Sequence, residues 1–193
     1  MCNFEFTKAM MCPKDIQQIS DIIDRQKYYH IKYMTAKKFN PKRILEIGVR
    51  AGYSACAFLH ACPNADYIGI DADNGTHGGG GGPWVWWAKQ LLKKYAFNFK
   101  IHKLDSQKLE QIPKEFGTFD FIHIDGDHSY LGAYHDMEIC WKALNSKGIM
   151  LIDDYDQMPK TVGNAVDDFI FNYRVSYEYQ PCLRWGEVII FKP

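Results

Sequence analysis

The chain has 193 residues, with Lys+Arg and Asp+Glu at 23 each and a formal net charge of zero. That length supports one substantial core. A neutral balance excludes the broad basic surface that nucleic acid or an anionic membrane requires, and 47% hydrophobic with 15% aromatic residues excludes disorder.

The N-terminus, MCNFEFTKAMMCPKD, carries Glu5 and Asp15 and no uninterrupted apolar stretch, so it does not read as a secretory signal. No run reaches the ~20 apolar residues of a membrane span, and a cytoplasmic location is expected. Cys2, Cys12, Cys56, Cys62, Cys140 and Cys182 lie scattered without a Cys-x-x-Cys pair, the pattern of reduced thiols that fill a core. From Pro13 to about Lys38, Ile16, Ile19, Ile22, Ile23 and Tyr29 predict an N-terminal helical arm. Asn40-Pro41 stops it, because a residue before proline avoids helical dihedrals.

A buried strand, Arg43–Val49, follows and ends on Gly48. A helix through Ser54, Ala55, Ala57 and Phe58 closes near Pro63, and Tyr67–Asp71 is the next strand. The run Gly78–Gly82 reads as a mobile linker or lid hinge. The chain restarts at Pro83, a favoured helix opener, with Trp84, Trp86, Trp87, Leu91 and Leu92. Further strands are expected at Phe99–Leu104, Phe119–Ile124 and Gly148–Ile152, helices at Tyr130–Leu144 and Val162–Asn172, and a terminal hairpin from Val175–Tyr179 and Glu187–Phe191. Alternating strands and helices predict an α/β fold with a mostly parallel sheet covered on both faces. The organisation expected is one domain, with residues 1–40 as the arm and 41–193 as the core.

Ligands of such sheets bind beyond the carboxyl ends of the strands, and those ends are acidic. Glu46 lies near the end of the first strand, Asp71 ends the second, Asp105 follows the third, Asp125 and Asp127 the fourth, and Asp153 and Asp154 the fifth. Any one carboxylate could be a helix cap; together they imply a ligand with hydroxyls, positive charge or a metal. The turn Glu46-Ile47-Gly48-Val49-Arg50-Ala51-Gly52-Tyr53-Ser54 offers glycines and a helix N-terminus to a ligand. Arg50 stands where a dinucleotide fingerprint needs its second glycine, which disfavours NAD and FAD.

The E-x-G-x-x-x-G turn followed by Asp71 resembles the class I S-adenosylmethionine-dependent methyltransferases. The pair Asp125-Gly126-Asp127-His128 and Asp153-Asp154-Tyr155, with Gly163, Ala165-Val166-Asp167 and Phe169, is similar to their metal-dependent O-methyltransferase subgroup. This includes the macrocin and aminocoumarin sugar O-methyltransferases, the cephalosporin-hydroxylase-like proteins and, more remotely, catechol O-methyltransferase. The resemblance runs from about Arg43 to Phe169. It implies a Rossmann-like fold with seven strands and a C-terminal antiparallel hairpin. Gly48, Gly52, Tyr53 and Ser54 would then hold the methionine part of S-adenosylmethionine. Asp71 would accept the ribose hydroxyls, Asp105-Ser106 would meet adenine, and Glu46 would sit near the amino group or orient the turn. Asp125 would touch the cofactor and, with Asp153 and Asp154, ligate Mg²⁺ or a similar cation.

Chemistry supports the metal independently. An alcohol gives up its proton about as reluctantly as water, pKa about 15.7, while an ordinary Asp sits near 3.9; the gap corresponds to ~16 kcal/mol. A divalent cation at the acceptor oxygen narrows it. Asp127 and His128 compete as the base, Asp127 by resemblance and His128 by its pKa of about 6.5. His123, inside a strand, reads as a core histidine and His77 as a solvated one. Trp84, Trp86 and Trp87 suit one buried ring and two partly exposed rings. Arg50 suits either the cofactor carboxylate or the surface. The partner expected is a small hydroxyl acceptor such as a sugar, polyol or catechol. About forty residues precede the core, so either the acceptor is small or a second copy in a homo-oligomer completes the site. The alternatives are a non-catalytic S-adenosylmethionine-binding protein, a metal-independent N- or C-methyltransferase, and a nicotinamide-dependent reductase.

Overall fold

Short apolar runs bounded by glycine and proline become strands, and the computed structural model, which describes residues 4–77 and 81–193, pairs them into one sheet. In chain order the elements are α1 (Pro13–Gln18), α2 (Ile22–Phe39), β1 (Arg43–Ile47), α3 (Tyr53–Ala61), β2 (Asp66–Asp71), α4 (Trp84–Lys94) and β3 (Phe99–Lys103). They continue with β4 (Phe119–Ile124), α5 (Tyr130–Ala143), β5 (Leu144–Ile152), α6 (Asn164–Tyr173), β6 (Ser176–Gln180) and β7 (Glu187–Phe191). The seven strands lie in the order β3-β2-β1-β4-β5-β7-β6. β1 to β5 pair in parallel, and β7 runs antiparallel to both β5 and β6. The expected mostly parallel seven-stranded sheet with a C-terminal hairpin is therefore present. β7 lies between β5 and β6.

Period-two alternation splits the strand residues between two apolar layers. Ile44, Tyr67, Phe121, Leu151 and Ile189 face α2, α3 and α4. Leu45, Ile68, Ile122, Met150 and Ile190 face α5 and α6. The same parity sends Glu46, opposite His123 in the β1–β4 ladder, into the α2–α3 layer.

The N-terminal arm departs from expectation. It is two helices rather than one, broken at Ile19, which has extended dihedrals (φ −91°, ψ 110°). Its isoleucines form only part of its packing face: Ile16 and Ile23 are exposed, while Ile19, Ile22 and Ile31 are half-buried against the core. α2 buries Tyr28, Tyr29, Lys32, Tyr33, Thr35 and Ala36. Aromatic rings carry most of the burial, and Tyr28 packs against Trp185 with centroids 4.5 Å apart and the rings tilted by 39°. Boundary shifts elsewhere are small, although β5 begins at Leu144 and a π turn, Pro159–Gly163, precedes α6. Part of the glycine run expected as a hinge, residues 78–80, lies outside the described residues. Cys12, Cys56, Cys62, Cys140 and Cys182 are buried free thiols. Among the described residues no helix is long and apolar enough to cross a membrane.

Candidate active site

β1 leads to β2 on one side of the sheet while β4 flanks it on the other, and a cleft opens beyond their carboxyl ends, as strand-order reversal dictates. Its volume is about 480 Å³, within the range of small-molecule sites. Of the residues singled out from sequence, Gly48, Asp71, Ser106, Asp125, Asp127, His128 and Asp154 line it. Tyr28, Trp84 and Trp185 supply aromatic walls, and Asp15 and Arg25 reach in from the arm.

Gly48 has φ +85°, and a Cβ there would lie 1.8 Å from the Asp125 carbonyl oxygen. The β1 turn thus presses directly on the end of β4. Asp71 shapes the same turn, its Oδ2 accepting from the Arg50 amide at 2.7 Å and its Oδ1 from the Asp73 amide at 2.7 Å. Asp73 Oδ1 in turn accepts from the Trp84 amide at 3.0 Å and holds the start of α4. Arg50 lines the cleft with its side chain partly exposed. It forks onto Asp15 with two 2.7 Å bonds and lies 4.2 Å over the Trp84 ring, clasping α1 across the cleft. Burial would raise the Asp15 pKa, but the Arg50 guanidinium holds it low.

Of the other residues singled out, His77 and Trp84 line the cleft and several sit behind its wall. Gly52 (φ +80°) opens α3, and a Cβ there would come within 2.9 Å of Ala88 Cβ, so that glycine serves α3–α4 packing. Tyr53 is buried, accepting from the Cys12 amide and donating to Asp15. Ser54 is buried in the first turn of α3. Asp105 caps the short helix after β3 by accepting from the Gln107 amide at 3.1 Å. Glu46 is fully enclosed, accepting from the Tyr67 hydroxyl and meeting His123 Nδ1 at 2.9 Å. Burial pushes its pKa up to about 8. His123 is a satisfied core residue. His77, expected to be solvated, bridges two carboxylates, with Nε2 3.2 Å from Asp105 and Nδ1 3.2 Å from Asp127. Trp84 is buried, Trp87 half-buried and Trp86 exposed.

The carboxylates expected to ligate a metal fall into two places. Asp125 Oδ1 lies 3.1 Å from His128 Nε2, and Asp154 Oδ2 lies 3.5 Å from the same nitrogen. Ligand atoms of these three residues lie within 4.8 Å of one another. The hydrogen bond to Asp125 and the surrounding carboxylates push the His128 pKa up to about 9. Burial and the neighbouring Asp125 and Asp153 charges raise that of Asp154. Asp154 also adopts φ +59°, a left-handed conformation that Asp tolerates and that concentrates at functional sites. Crowded oxygen donors with one imidazole are a donor set that suits a divalent cation. Asp153 is turned away, its Oδ2 accepting from Lys32 Nζ at 3.0 Å and from the Tyr28 hydroxyl, with only 1% of the side chain exposed.

Residues 45–155, more than half of the chain, match the model of a family described as a methyltransferase domain. The chain belongs to that family. It is similar to an O-methyltransferase, hkm8, of Aspergillus hancockii, 28% identical over 116 residues that cover 59% of this chain and 43% of that protein. It is also similar to a flavonoid 3',5'-methyltransferase of Vitis vinifera, 29% identical over 63% of this chain and 50% of that protein. The chain thus spans about half the length of these curated relatives. Among solved structures, one described as a caffeoyl-CoA O-methyltransferase from Staphylococcus aureus superposes with a TM-score of 0.70 at 18% identity, covering 96% of this chain and 95% of that one. An O-methyltransferase from Bacillus cereus in complex with SAH gives 0.68 at 16% identity over 91% and 82%. The class I methyltransferase fold is shared with both.

Tyr28, Lys32, Trp185 and His77 were not predicted as part of the site. Lys32 carried a signal, because it lies on the Tyr28–Tyr29–Tyr33–Ala36 stripe of α2, where an apolar residue is expected.

Proposed function

We propose that the chain transfers the methyl group of S-adenosylmethionine to a hydroxyl oxygen of a small molecule, a sugar, polyol or catechol-like compound, with a divalent cation as helper. One observation carries this reading: a single cleft joins the Gly48 turn and Asp71 to the Asp125–His128–Asp154 group. The O-methyltransferase relatives support the same chemistry.

The sulfonium–methyl bond breaks as the oxygen–methyl bond forms, leaving neutral S-adenosylhomocysteine. Asp71 holds the ribose hydroxyls, and the Gly48 turn lets the backbone approach the donor. The aromatic walls Tyr28 and Trp185 orient the acceptor. Asp127, hydrogen-bonded to His77, takes the hydroxyl proton. Asp125 and Asp154 would hold the cation, which when bound lowers the cost of the developing alkoxide.

The test is thermal unfolding with S-adenosylhomocysteine, in Mg²⁺ or Mn²⁺ and again in EDTA, followed by transfer of labelled methyl to a polyol and catechol panel. Ligand at ~100 times its dissociation constant adds about 2.7 kcal/mol, a rise of roughly 5–11 °C for this size. No shift at saturation defeats the methyl-donor reading. A shift without turnover on any acceptor, with or without metal, favours the non-catalytic alternative.

A further inference from the structure

Buried inside the sheet, beside the cleft, is a second group able to hold a metal: His123, Asp153 and Glu187. An ammonium fills it. Lys32 Nζ lies 2.9 Å from His123 Nε2, 3.0 Å from Asp153 Oδ2 and 2.5 Å from Glu187 Oε1. A lysine ammonium has three N–H donors, and three acceptors surround this one. The side chains of all four residues are at most 1% exposed. The outer contacts are closed as well: Gln180 donates to Glu187, Glu46 meets His123 on its other nitrogen, and Tyr28 donates to Asp153. Asp153 Oδ1 accepts from the Asp154 amide at 2.9 Å, so both of its oxygens are engaged.

We propose that Lys32 is a tethered internal cation that withdraws Asp153 from the metal centre and leaves Asp125, His128 and Asp154 as the ligand set, a mixed nitrogen–oxygen site that favours a divalent transition ion over Mg²⁺. This rests on the proposed metal-assisted reaction and deepens it. His128 then acts as ligand rather than base, and Asp127 is left as the proton acceptor. Imidazole suits Fe²⁺, Ni²⁺, Cu²⁺ and Zn²⁺, whereas Mg²⁺ prefers oxygen donors and water. Lys32 is a positioning residue: it reaches the chemistry only through Asp153.

The experiment uses the full chain, stripped with EDTA and saturated with S-adenosylhomocysteine. Mn²⁺ is added and read by pulsed EPR, with affinities from the free-ion signal. One Mn²⁺ per chain with nitrogen modulation from one imidazole is expected. His128→Ala should abolish that modulation and weaken Mn²⁺ by at least ~10-fold, and His128→Asp should shrink the Co²⁺-over-Mg²⁺ preference by ~10-fold. Asp153→Asn should leave the Mn²⁺ affinity within ~3-fold. Lys32→Gly, which vacates the inner cage, should take up a second equivalent of Zn²⁺. Bound Mn²⁺ without nitrogen modulation in the wild-type chain overturns the proposal and restores the three-carboxylate set. That reading needs no variant to fold. No Mn²⁺ binding at all, with the S-adenosylhomocysteine shift intact, overturns the metal-assisted reaction and this inference together.

Discussion

Replacing Gly48 by alanine separates two reasons for a glycine at the β1 turn: the approach of a ligand, and the packing of the protein on itself. The residue has φ +85°, and its added Cβ would sit 1.8 Å from Asp125 O, 2.5 Å from Asp125 C and 3.0 Å from Gly126 Cα. These are backbone atoms, so no side chain can swing aside. Ordinary carbon contact begins near 3.5 Å, so the turn or the end of β4 must move by more than 1 Å. Both are pinned, Gly48 N to Ile70 O at 2.9 Å, Asp125 N to Ile47 O at 2.9 Å and Asp153 N to Ile124 O at 3.0 Å. Left-handed strain costs ~1–2 kcal/mol and overpacking ~1–3 kcal/mol. A total of about 4 kcal/mol lowers Tm by roughly 8–16 °C in a chain of this size. The assay is thermal unfolding without ligand, monitored by circular dichroism, beside S-adenosylhomocysteine titration. Gly52→Ala (φ +80°, against Ala88) should also destabilise while leaving ligand affinity within a few-fold. An unliganded Gly48→Ala chain melting within 2 °C of wild type refutes the packing argument and assigns the glycine to the ligand alone.

Asp71→Ala removes the carboxylate placed to accept the ribose hydroxyls and frees the Arg50 and Asp73 amides. Calorimetry should show S-adenosylhomocysteine affinity falling ~10- to 100-fold, the loss of about 1.5–3 kcal/mol in charge-assisted bonding. Arg50→Ala leaves Asp15, itself 1% exposed, as an uncompensated buried charge and should cost about 3 kcal/mol; adding Asp15→Asn should recover most of it in a double-mutant cycle. Asp136, buried on α5, has its pKa raised from 3.8 to about 6 by burial. The folded value exceeds the unfolded one, so its contribution to stability is complete below pH 3.8 and lost as pH rises through 6. That rise corresponds to about 3 kcal/mol. Asp136→Asn should therefore melt higher at pH 8 by up to ~6–12 °C and match wild type near pH 3.5. An equal change at both pH values would refute the assignment.

Much of the fold was legible because parallel sheets write themselves as short apolar runs separated by helix-length segments. β4 begins and ends where its pattern does, and Phe121, Ile122 and Ile124 are buried as an internal strand requires. In the arm the pattern of Ile16, Ile19, Ile22, Ile23 and Tyr29 marks the apolar face only in part, because Ile16 and Ile23 are exposed while Ile19, Ile22 and Tyr29 pack on the core. Tyrosine rings carry most of the α2 packing: Tyr28, Tyr29 and Tyr33 are buried, and the Tyr28 hydroxyl donates to Asp153. The Asp15–Arg50 clasp joins residues 35 apart in the chain, and nothing in local spacing pairs them.

The acidic strand ends show where reading by enumeration overcounts. Taken together they implied a ligand with hydroxyls or positive charge, yet the carboxylates divide by what each one faces. Glu46 lies on the strand parity that points into the α2–α3 layer and meets His123. Asp153 is held by an ammonium delivered from α2, 121 residues away. Asp105 caps a short helix. Asp71, Asp125, Asp127 and Asp154 remain on the cleft. Charge alone does not separate these groups, since every member is an Asp or Glu at a strand end. What separates them is whether the protein has already supplied the counter-charge. Where Lys32 does so, burial is complete and the site is closed; on the cleft the compensation is partial, His128 reaching Asp125 and Asp154 and His77 reaching Asp127, while burial and mutual repulsion still lift the Asp125 and Asp154 pKa values and leave a place for further positive charge in the space that a ligand would enter.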